Sequence, residues 1–132
     1  MNNLEIRLEN LKRKLLTVCA YDTTHPSCEE DWSPANPLYG HCAIVSALVY
    51  NRFGGEIIRG IIAETGISHY WNRIDGKEYD LTKEQFEKHV TLIDAQTCSV
   101  ERIFKNGNSL ERYNLLVERL NELPEYANDH KN

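Results

Sequence analysis

A cysteine, a histidine and an aspartate in the middle of this sequence have the side chains that thiol chemistry requires. Cys42 opens a run from Cys42 to Tyr50 that is apolar except at Ser46. A segment apolar on nearly every side reads as a buried helix. Pro37 and Gly40 stand just upstream, where a turn into a helix needs them. Cys42 therefore falls in the first turn of a central helix, where the positive end of the helix dipole favours thiolate. His69 is the candidate base for that thiol. Asp80 is the candidate third member, fixing the ring tautomer and stabilising the imidazolium. Attack by Cys42 on a carbonyl or amide carbon would give a thioester, resolved by water (hydrolysis, deamidation) or by an amine (transamidation).

These side chains need elements to hold them. Ile67 to Ile74 is rich in aromatic and β-branched residues, Asp75-Gly76 follows, and Lys77 to Leu81 comes next. Asp-Gly between two such runs signals a two-residue hairpin, because a type I′ turn needs positive φ at both positions. The turn fixes the register: Ile74 faces Lys77, Asn72 faces Tyr79 and Trp71 faces Asp80. Alternation then puts His69, Trp71 and Asp80 on one face, with Asp80 the diagonal neighbour of His69. Asp75 is the rival carboxylate, but the turn alone accounts for it. Two donors are available for an oxyanion: the Cys42 backbone N–H and the side-chain amide of Asn36, which Asn-Pro turn chemistry also explains. Trp71 would either shield the imidazole and line a cleft or simply pack in the core.

Around this centre, Leu4, Leu8, Leu11, Leu15 and Val18 recur at helical spacing and predict an amphipathic N-terminal helix. Tyr21 to Tyr39 is a long Pro-containing connection, suited to a substrate wall or lid or to a plain crossover. Gly54-Gly55 ends the central helix, and Glu56 to Ala63 reads as a buried strand. Thr82 and Gln85 have capping-box spacing, which predicts a short helix directly after Asp80. Val90 to Ile103 is ambiguous between edge strands and helical turns. Asn108 begins a last helix with Leu110, Leu115, Leu116, Leu120 and Leu123 on its apolar side, ended by Pro124. Tyr126 to Asn132 reads as a polar, frayed end.

With 132 residues, 41% hydrophobic and 27% charged, the chain reads as one soluble domain, 1–132. A formal charge of −5 argues against nucleic acid as a partner. The sequence has neither a run long enough to span a bilayer nor an apolar signal core, so a cytoplasmic location is expected. The cysteines (Cys19, Cys28, Cys42 and Cys98) are then expected to be free thiols rather than a disulfide framework. His25, Cys28, His41 and Cys42 offer a zinc alternative, but their gaps match no ribbon or finger. The expectation is no metal and no cofactor.

Cys at the start of a buried helix, His in a strand and Asp on the next strand resembles the transglutaminase-like branch of the papain-like cysteine-enzyme fold. More closely, Asn36-Pro37-Leu38-Tyr39-Gly40-His41-Cys42, Ser68-His69-Tyr70-Trp71-Asn72 and Asp80-Leu81-Thr82-Lys83-Glu84-Gln85-Phe86 resemble the YunG-like group of short bacterial proteins. That group's pattern has Gln before the Cys, where this chain has His41. The resemblance implies an α+β domain: a central helix carrying Cys42, packed on a small antiparallel sheet carrying His69 and Asp80, with N- and C-terminal helices. It implies the triad Cys42, His69 and Asp80, and no known substrate. A peptide, protein or small amide or acyl compound is the expected partner. A binding domain that keeps the fold without the chemistry is the alternative, with the small zinc protein behind it.

Overall fold

The computed structural model describes residues 2–124. The predicted polar end, Tyr126 to Asn132, lies outside them. Helix α1 (Asn3–Val18) is opened by a capping box between Asn2 and Glu5 and buries Leu8, Leu11, Leu15 and Val18 along one stripe. A connection with a 3-10 turn at Pro26–Cys28 leads to α2 (Cys42–Phe53). Strands β1 (Glu56–Ile62), β2 (Ser68–Ile74) and β3 (Lys77–Tyr79) follow, then a 3-10 turn at Lys83–Gln85, β4 (Leu92–Cys98), α3 (Val100–Phe104) and α4 (Ser109–Glu122).

The architecture is α+β. The strands form one antiparallel sheet in the order β3-β2-β1-β4. α2 is the central helix, as its all-round apolarity predicts. It buries Ile44 to Val49, packs on β2 and β1, and also meets α3 and α4. Leu8, Leu11, Leu15, Leu48, Val49, Leu116 and Leu120 make the core between the helices. Ala47, Ile57 and Ile103 make a smaller core between α2, the sheet and α3. The Asn72 amide donates to the Ser46 carbonyl of α2 (3.0 Å), which fixes the helix against β2.

The hairpin has the predicted register: Ile74 opposite Lys77 and Asn72 opposite Tyr79. Asp75 and Gly76 both have positive φ, 51° and 79°, as a type I′ turn requires. β3 stops at Tyr79, however, so Asp80 lies one residue past the strand rather than on it. The Ser68 to Trp71 half of β2 thus has no β3 partner.

The remaining elements correct the sequence reading in several places. The predicted capping box at Thr82 does not form, and the short helix is a single 3-10 turn. The Thr82 hydroxyl is drawn to the Asp80 carboxylate instead (3.3 Å), and the Gln85 amide donates to the Thr82 carbonyl and hydroxyl. The ambiguous stretch resolves into β4 followed by α3. β4 is exposed along nearly its whole length and carries a bulge at Asp94, whose φ is 54°. On α4, Leu116 and Leu120 are buried, but Leu110 is 45% exposed. Asn108 precedes α4 without capping it through its side chain, because its amide oxygen accepts from Arg112 Nε (2.8 Å).

Candidate active site

Cys42 is the first residue of α2, and its preceding residue, His41, makes no side-chain cap. Val45 is the first α2 residue whose N–H finds a helical carbonyl, that of His41 (3.0 Å). The N–H groups of the first turn, Cys42 among them, are therefore free donors beside the thiol. His41 cannot cap because its ring faces inward: it is fully buried, with Nδ1 on the Tyr39 carbonyl (2.9 Å) and Nε2 on the Thr23 hydroxyl (2.7 Å). A carbonyl only accepts, so Nδ1 carries the proton. Burial pushes the His41 ring down to about 4, which keeps it neutral at neutral pH.

Gly40 supplies the turn into this helix. Its φ is +77°, and a Cβ there would run into the Thr24 hydroxyl and Cys28 (2.8 Å to Cβ, 3.1 Å to Sγ). The segment before the nucleophile is thus laid directly on residues 23–28.

His69 comes to Cys42 from the half of β2 that β3 does not reach and is 1% exposed. Its Nε2 meets the Asp80 carboxylate at 2.7 Å. The Cys42 thiol is the other group that acts on the ring. Burial disfavours the charged ring, but the Asp80 and Cys42 hydrogen bonds and charges outweigh it and raise His69 to about 9. The other oxygen of Asp80 accepts from the Thr82 N–H (3.2 Å) and hydroxyl, which orients the carboxylate. Trp71 lies beside the imidazole (ring centroids 5.8 Å apart, planes 23° apart), and Phe86 meets the imidazole edge-on at 4.8 Å. Gly60 lies directly under Trp71: a Cβ there would come within 2.7 Å of the indole ring.

The structure thus brings Cys42, His69 and Asp80 together and sets Trp71 over the imidazole. Asn36 is otherwise occupied, its amide donating to the Gln85 carbonyl (2.9 Å). The zinc alternative gains no geometry: among the described residues no three His, Cys, Asp or Glu side chains gather as a metal site. A cleft of about 550 Å³ opens beside Asp80, walled by Trp71, Tyr79, Phe86 and Lys88; neither Cys42 nor His69 lines it.

Sequence reasoning gave Gln85 only a capping role and missed its contact with the cysteine loop. Gln85 is buried, and its side-chain oxygen accepts from the Gly40 N–H (3.2 Å) while its amide donates to Thr82 (2.9 and 3.1 Å). One side chain thus ties the cysteine loop to the aspartate loop. Gln85→Ala should cost about 1–3 kcal/mol in urea unfolding, the usual consequence of orphaning buried polar groups. Glu84→Ala next to it, which loses only a surface ion pair to Lys12, should cost under about 1 kcal/mol. Equal costs for the two would show that Gln85 ties nothing.

The family model described as YunG protein matches residues 7–124. A Bacillus subtilis (strain 168) protein described as "Uncharacterized protein YunG" is 34% identical over 87 residues, covering 66% of this chain and 72% of that protein. A Debaryomyces hansenii protein described as "Ribonuclease T2-like" is 28% identical over 82 residues, covering 60% of this chain but 19% of that protein. No solved structure matches the chain. Among the described residues no helix is long and apolar enough to cross a membrane.

Proposed function

The chain belongs to the YunG protein family, and we propose that it is a thiol enzyme of papain-like, transglutaminase-like design, acting on an amide or acyl bond. The observation that carries this reading is the position of His69. It is a buried imidazole with a carboxylate held at 2.7 Å and the thiol of a helix start acting on its ring.

In this mechanism His69 holds the proton of Cys42, and Asp80 stabilises the resulting imidazolium. The sulfur attacks the carbonyl carbon. The negative charge that develops on the carbonyl oxygen is met by the free N–H groups at the start of α2. His69 then protonates the leaving amine or alcohol as its bond to the carbonyl carbon breaks, leaving a thioester on Cys42. Water or an amine attacks that thioester while His69 takes its proton. The acid or the new amide leaves, and the thiol is restored.

p-Nitrophenyl acetate tests the reading as an activated acyl donor of no particular specificity. Peptide mass spectrometry should find a hydroxylamine-labile acetyl group on Cys42, absent from Cys42→Ala and formed at least tenfold more slowly by His69→Ala. Acetyl groups confined to lysines or to Cys28 would leave the family fold as a binding domain without this chemistry.

A further inference from the structure

We propose that Arg112, on α4, supplies a second positive charge to the Cys42 nucleophile, acting from behind the turn that precedes it. This rests on the thiol-enzyme reading above and adds an electrostatic positioning residue to it.

Arg112 is 4% exposed, a rare setting for a guanidinium unless a carboxylate shares the site. Its partners are all neutral oxygens: Asn108 Oδ1 on Nε (2.8 Å), the Thr23 carbonyl on Nη1 (3.2 Å) and Ser109 Oγ on Nη2 (3.1 Å). Among the described residues no carboxylate pairs with it. Three neutral acceptors satisfy hydrogen bonds but leave the charge uncompensated. An anion nearby would complete the site.

The route from Arg112 to the nucleophile is short. Thr23, whose carbonyl accepts from Arg112, donates its hydroxyl to His41 Nε2, and His41 is the residue before Cys42. The next residue, Thr24, donates to the Tyr39 carbonyl. The ionisable groups near Arg112 are His25, Cys28, His41 and Cys42; negative charge on either thiol would oppose the effect of burial on the guanidinium. His69 and the Cys28 thiol are also near Cys42. Of these, His41 is neutral at neutral pH. The cations acting on the sulfur are therefore His69 and Arg112. His69 gives and takes the proton, so its charge disappears within the reaction. That of Arg112 persists, and it favours the thiolate throughout.

The test is the pH profile of the Cys42 alkylation rate with iodoacetamide. Arg112→Gln should move the midpoint of its acid limb up by about half a unit or more, as expected when a nearby positive charge is lost. Arg112→Lys keeps the charge and should stay near wild type even if the protein melts lower. Because Arg112→Gln removes buried hydrogen bonds and can unfold the protein, Asn108→Asp provides a second arm. It keeps the Nε hydrogen bond, gives Arg112 the carboxylate it lacks and should not lower the melting temperature, yet it should move the acid limb up as Arg112→Gln does. A purely structural role for Arg112 predicts no movement in Asn108→Asp, and that result would overturn the proposal. If wild-type Cys42 shows no reactivity beyond that of the other thiols, the thiol-enzyme reading fails and this proposal with it. Failure of the proposal alone shows as a reactive wild type whose profile neither variant moves.

Discussion

Limiting iodoacetamide at pH 7 should modify Cys42 about a hundredfold faster than any of the other cysteines. Only the thiolate attacks, so each unit by which a thiol is raised removes about tenfold of its reactive fraction. Cys19 is 5% exposed and burial pushes it up to about 12, which makes it both inaccessible and protonated. Burial also raises Cys28, which is opposed by the Ser27 hydroxyl, and Cys98, which is opposed by Arg102 and Arg59. Cys42 is partly exposed, starts a helix and has the His69 imidazole against it. Peptide mass spectrometry after brief labelling reads the order directly. Cys28 or Cys98 labelling ahead of Cys42 would remove the nucleophile from the site.

The second large effect belongs to Asp80. Asp80→Asn keeps the shape of the side chain but removes the carboxylate that, with Cys42, holds His69 at about 9 against its burial. The His69 titration, followed by NMR, should fall by about two units towards its ordinary value of roughly 6.5. Cys42 alkylation at neutral pH should slow at least tenfold. Asp75→Asn should leave both unchanged, because Asn-Gly makes the same turn and Asp75 sits at its tip. The same pair sets a pH dependence of stability. His69 is raised in the folded protein, so its stabilisation is fully present below about pH 6.5 and is lost as pH rises through 9. Between those limits the wild type should lose up to about 3 kcal/mol, and Asp80→Asn should lose much less over the same range. A wild-type stability that rises from pH 6.5 to 9 would contradict the imidazolium assignment.

The candidate site was legible in the sequence where local rules governed it. An Asp-Gly turn allows one register, and that register carried Asp80 to His69 even though β3 ends a residue early. Helix-start placement of Cys42 followed from the apolar run and the turn residues before it. What escaped depends on contacts between distant segments. The Asn36 amide is taken by a carbonyl 49 positions away, and no local signal in Asn-Pro announces that. Thr82 and Gln85 have the spacing of a capping box, but the nearby carboxylate of Asp80 competes for the hydroxyl. β4 could not be read because it is exposed on both faces, so no alternation of apolar and polar residues marks it. Arg112 looks like any charge on an amphipathic helix until α4 docks and covers it.

The bond from Arg112 to Thr23 joins residues 89 positions apart. During synthesis the thiol-bearing helix and the hairpin leave the ribosome well before α4 does. For that interval Cys42 exists without the cation behind its turn and without the α4 side of the helical core. A nascent or truncated chain would then lack part of what makes Cys42 reactive, and full reactivity would appear only as the last helix closes. Chemistry at Cys42 would in this way be timed to the completion of folding, which spares the unfinished chain from acylating itself or its neighbours.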